Sequence, residues 1–137
     1  MANWRPSHAY VPGQTSRHPE DLFDLIKAGT DTMCLDEITG SKAWQYGLAF
    51  LDEGFYWEAH EVLEAVWMNC PQNSPEKLMT QAVIQTANAR LKQKMGRKSA
   101  ARRLGIEARR LAKEAVTRAR GPVLGLDSQD MQYIASF

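Results

Sequence analysis

Cysteine is nearly absent. Cys34 and Cys70 are the only two, and a spacing of 36 positions fits neither a zinc knuckle nor the dense framework of a small secreted scaffold. Both are expected as free thiols. No stretch approaches the roughly 20 consecutive apolar residues needed to span a bilayer. The opening Met-Ala-Asn-Trp-Arg-Pro-Ser-His has no apolar run of the kind a secretion signal needs, so no membrane association and a cytoplasmic location are expected. No segment alternates apolar and polar residues with a period of two, which leaves strands without a signal. Net charge is also scarce, at +1.

That near-neutrality conceals a polarity. Residues 1–89 hold 5 Lys/Arg against 12 Asp/Glu, whereas residues 90–120 hold 12 against 2. The basic stretch, with Arg97, Lys98, Arg102, Arg103, Arg109, Arg110 and Lys113, contains no aromatic residue. Base stacking on single strands has no platform there, which argues against nucleic acid. An acidic partner or the acidic surface of a second copy, giving a homo-oligomer, is compatible with it, as is a solvated helix balancing an acidic remainder.

At 137 residues with 44% hydrophobic content, one domain with one core is expected. Residues 1–18, with Pro6, Pro12 and Gly13, read as an extended N-terminal arm, and 19–137 as a single helical domain. Trp4, Tyr10 and Val11 are costly to leave in water, so the arm is expected to lie on the protein. Pro19-Glu20-Asp21 predicts a helix opening and Gly29 its end. Helices are predicted from about Ser41 to Glu53 with Gly54 as a left-handed stop, from Tyr56 to Met68, from a Ser74 cap and Pro75 to about Met95, and from Ser99 to about Ala119. A short one from Asp127 to Phe137 is expected to dock Met131, Tyr133, Ile134 and Phe137. The fold class is therefore all-α, a compact bundle of about five helices. Gly47, Phe50, Gly54, Tyr56, Ala59, Leu63 and Pro71 stand at spacings close to one tetratricopeptide-like helix hairpin, with Gly47 and Ala59 small enough for two helices to touch. No second copy follows, so a solenoid is excluded.

Chemistry concentrates in Trp57-Glu58-Ala-His60-Glu61-Val-Leu-Glu64-Ala-Val-Trp67. On a helical wheel Phe55, Ala59, Val62, Leu63 and Val66 share one face, and His60 and Glu64 neighbour each other one turn apart beside its margin. A His with Glu at i+4 offers two ligands to a divalent metal, with Glu58 or Glu61 as a third ligand or a base. Tyr56, Trp57, Trp67, Gln81 and Gln85 are candidate pocket walls. Gln81, Gln85 and Asn88 form a polar edge able to orient the cluster if the two helices pack together. Neither the zincin His-Glu-x-x-His nor the Glu-x-x-His of di-metal bundles is matched, because Glu64 and Trp57 stand at the deciding positions. Glu61 or Glu64 as general base with His60 as its partner supplies groups for catalysis but no nucleophile or oxyanion donors. The same residues are equally read as a hydrogen-bonded pair at the rim of the core beside a solvated carboxylate face.

The segment Gly54-Phe55-Tyr56-Trp57-Glu58-Ala59-His60-Glu61-Val62-Leu63-Glu64-Ala65-Val66-Trp67 resembles the signature of a prokaryotic family, domain of unknown function 309. Gln81-Ala82-Val83-Ile84-Gln85-Thr86-Ala87 is similar to that family's second element, a helix rich in Gln and Ala, and Tyr10 to Pro19 looks like the arm of some members. The resemblance implies a compact helical bundle and a site around Glu58, His60, Glu61 and Glu64, with no reaction attached. Ligand or metal binding at that cluster is therefore the leading expectation. The alternative is an interaction or self-association module in which the helix hairpin and the basic helix do the work and the His/Glu cluster is purely structural.

Overall fold

The computed structural model describes residues 3–134. Six α-helices follow in chain order: α1 (Asp24–Lys27), α2 (Lys42–Glu53), α3 (Tyr56–Met68), α4 (Pro75–Lys94), α5 (Lys98–Ala119) and α6 (Ser128–Ile134), with 3-10 turns at Thr30–Thr32 and Leu35–Gly40. Phe137, expected to dock with the last helix, lies outside the described residues. The boundaries come from local chemistry. Ser41 Oγ accepts from Trp44 N–H and Ser74 Oγ from Lys77 N–H, each satisfying a donor at a helix start. Gly54 closes α2 in the left-handed region, with its N–H bonded to the Phe50 carbonyl.

The expected helix from Pro19 shrinks to α1. Residues 20–23 form turns rather than helix, and the chain bends there so that Phe23 is buried among Trp4, Phe50 and Trp57. Local start signals lose to that aromatic contact, because one buried ring outweighs a single helical turn.

The helices stack in sequence. α1 lies on α2 and α3, α3 packs on α4, α4 on α5, and α5 on α6. Gly47 is what lets α2 and α3 approach: a Cβ there would stand 2.4 Å from Leu63 Cδ2, inside any permissible contact. α4 is buried nearly all round, carrying Met79, Ala82, Val83, Ala87 and Ala89 with Thr80 and Thr86. The two threonine hydroxyls donate to the carbonyls of Glu76 and Ala82 four residues back, so they enter the core without an orphaned polar group. α5 turns Ala101, Gly105, Ala108, Ala112 and Ala115 inward, a small-residue face that allows close approach to α4. Arg90 of α4 donates to the Ile134 carbonyl and ties α6 to the stack. Among the described residues, no helix is long and apolar enough to cross a membrane.

Candidate functional site

α3 begins after Phe55, whose side chain gives no cap, and Glu58 falls in its first turn, where the positive end of the helix dipole favours a carboxylate. In many helices a glutamate at this position reaches back to its own cap. Here it reaches outward to the segment before α1. Glu58 Oε2 accepts from Tyr10 N–H at 2.7 Å and from His18 Nε2 at 2.6 Å, with the two side chains 0% and 2% exposed. Glu58 Oε1 is buried without a hydrogen-bond partner. Two donors thus converge on one oxygen of a fully desolvated carboxylate.

Rings enclose the pair. His18 packs against Phe23 and Trp57, Tyr10 meets Trp57 edge to face at 5.2 Å, and the His8 ring lies 4.6 Å from that of His18. His8 Nε2 donates to the Ser16 carbonyl at 2.7 Å, which leaves Nδ1 of a neutral ring to accept from Ser7 Oγ. Further along, Arg5 grips Glu53 through two hydrogen bonds of 2.7 and 2.6 Å, Trp4 N–H donates to the Tyr46 hydroxyl, and Gln14 donates to the Lys94 carbonyl. The Arg5 guanidinium holds the Glu53 carboxyl below the usual carboxylate range. Beside the His18–Glu58 pair opens a cleft of about 480 Å³, lined among others by Arg17, His18, Glu20, Trp57 and Glu61.

The other residues of the motif part company. His60 Nε2 pairs with Glu64 Oε2 at 3.0 Å on a half-exposed face. Glu61 instead pairs with Lys27 of α1 at 3.3 Å. Trp57 packs on Tyr10 and His18, and Trp67 receives Lys77 Nζ over its ring at 4.0 Å, bridging the end of α3 to the start of α4. Tyr56 packs half-buried at the edge of the core. Gln85 turns towards α5, donating to Glu107 and accepting from Asn88, both at 3.2 Å, while Gln81 is half-buried on the same helix. The amide edge of α4 therefore serves the α4–α5 contact. Among the described residues, no group of three or more His, Cys, Asp and Glu side chains is placed to hold a metal ion.

Tyr10 and His18 meet a fully buried carboxylate, and neither is expected at the site from the sequence. Their partner stands 48 and 40 positions away, a distance no helical periodicity reports. The available signal was indirect: a histidine just before Pro19, in a segment whose aromatic residues needed cover.

Fold and site together define a small all-helical bundle whose Glu-Ala-His-Glu helix anchors the segment that precedes it. Residues 44–104 match the family model described as Domain of unknown function (DUF309), and this stretch of the chain is similar to that family. The match spans α2 to the start of α5 and includes Glu58, His60, Glu61 and Glu64, but neither Tyr10 nor His18. No curated protein and no solved structure matches the chain.

Proposed function

We propose that the protein is a cytoplasmic interaction module whose basic α5 face docks an acidic surface, while the carboxylates and histidines around α3 hold the fold together. The observation that carries this reading is the solvent side of α5. Ser99, Arg102, Arg103, Ile106, Arg110 and Lys113 are all exposed, at helical spacing opposite the buried alanines. Arg102, Arg103, Arg110 and Lys113 have no ion-pair partner among the described residues. The two carboxylates of α5 are engaged elsewhere, Glu107 with Gln85 and Glu114 with Arg118. Ile106, 54% exposed, sits among the guanidinium groups beside a dimple of about 270 Å³. An apolar anchor ringed by unneutralised cations suits a partner with acidic groups around an apolar contact.

What supports this over a metal or ligand site at Glu58, His60, Glu61 and Glu64 is that those four side chains divide among separate pairings with His18, Glu64 and Lys27. In this reading the division at residue 18 is functional: the preceding segment is a strap held by Glu58. The tetratricopeptide-like spacing of α2 and α3 acts as a packing device through Gly47.

Anisotropy of labelled poly-L-glutamate titrated with the protein tests the proposal. Binding is expected at low salt, falling as salt rises, and lost by roughly tenfold or more in Arg102→Glu/Arg103→Glu. No binding at low salt, or binding unchanged in that variant, overturns it.

A further inference from the structure

We infer that the acidic surface received by α5 belongs to a second copy of this chain, docked head to tail through the surface around α1; the inference rests on the basic face proposed above. The helix stack separates the charges in space as well as in sequence. α1 rests on α2 and α3, whereas α5 packs on α4 and α6, so the two surfaces are carried by different parts of the bundle. Both are exposed in the folded molecule, so neither covers the other.

The surface around α1 mirrors that of α5. Phe23 and Ile26 turn inward, and Glu20, Asp21, Asp24 and Leu25 are left exposed. Asp21 and Asp24 make no ion pair among the described residues, while the nearby Lys27 is committed to Glu61. Leu25, 84% exposed, is the counterpart of Ile106. Each pole therefore carries an exposed branched aliphatic side chain among unpaired charges mostly of one sign, and the prevailing signs are opposite. Placing Leu25 against Ile106 buries both and sets Asp21 and Asp24 among Arg102, Arg103 and Arg110.

The same sign separation disfavours pairing through two α5 faces or two α1 faces, which repel each other. A single head-to-tail contact between unlike poles is heterologous. It leaves one free pole at each end, so association continues past a dimer unless a ring closes.

Sedimentation velocity of the full chain at roughly 0.01 M and roughly 1 M salt, where the Debye length is about 30 Å and about 3 Å, provides the test. Wild type is expected to associate beyond a dimer at low salt and to dissociate at high salt. Arg102→Glu/Arg103→Glu cancels the positive charge of the α5 face and Asp21→Lys/Asp24→Lys reverses the negative charge of the α1 face, and each alone should weaken association by roughly tenfold or more. Mixing the two variants makes the contacts between unlike variants attractive again and should restore association. All four positions are exposed, and circular dichroism verifies that both variants fold. Wild type that stays monomeric at low salt, or variants that fail to complement, overturn the inference. A monomeric wild type that still binds poly-L-glutamate through Arg102 and Arg103 removes the second copy but leaves the basic docking face. Loss of both removes both.

Discussion

Replacing Glu58 by alanine removes the acceptor shared by Tyr10 N–H and His18 Nε2 and leaves both donors inside an aromatic enclosure. Deleting the partner of a buried, hydrogen-bonded polar group costs up to about 3 kcal/mol for each donor left unsatisfied where the surroundings cannot relax. Here they can relax, because both donors lie on a segment able to lift into water. The loss is then capped by the docking energy of that segment, and the burial cost of the carboxylate and its unpartnered Oε1 disappears with it. The expected net destabilisation is about 2–3 kcal/mol, a fall in Tm of about 5–10 °C for a domain of this size. Glu58→Gln retains an acceptor oxygen but places an amide N–H₂ in the same dry site, for a loss of about 1–2 kcal/mol. Urea unfolding followed by circular dichroism gives the stability, and hydrogen exchange at the Tyr10 amide reports the local opening. In Glu58→Ala that amide should exchange far faster than the amides of α4. A variant within about 0.5 kcal/mol of wild type with its Tyr10 amide still protected would refute the reasoning.

Gly47→Ala should destabilise by about 1–2 kcal/mol, because the new methyl meets Leu63 in a closed core and the loss exceeds the helix-propensity gain of about 1 kcal/mol. Equilibrium unfolding measures it, and a more stable variant would contradict the packing account. A thiol reagent added to native protein should modify Cys34 first. Cys34 is exposed, although its hydrogen bond with Glu37 raises its pKa, whereas Cys70 is buried and its burial pushes the thiol up. Equal rates in a spectrophotometric assay would mean that the α3–α4 connection opens readily.

The four long helices were legible because their ends are written in single residues: Ser41 and Gly54 bound α2, Ser74 and Pro75 open α4, and Gly96 separates α4 from α5. The i, i+4 relation between His60 and Glu64 was legible for the same reason, being local. What could not be read is what depends on distant encounters. Glu58 reads in the sequence as a ligand, a base or part of a solvated face, and nothing local shows that Tyr10 and His18 reach it. Glu61 finds Lys27 only once α1 is folded back, and Gln85 faces α5 only because α4 is central to the stack. The 3-10 turns between residues 30 and 40 likewise follow no period that a pattern search can recover.

The reach of the strap also has a kinetic consequence. Its contacts with Glu53 and Glu58 close loops of 40 to 48 residues and need α2 and α3 in place first, so they are expected to form late in folding. Interactions made after the transition state govern how fast a protein unfolds and leave its folding rate nearly untouched. Removing Glu58 is therefore expected to speed unfolding while leaving the folding rate nearly untouched, so that the lifetime of the native bundle depends on a carboxylate that contributes little to building it.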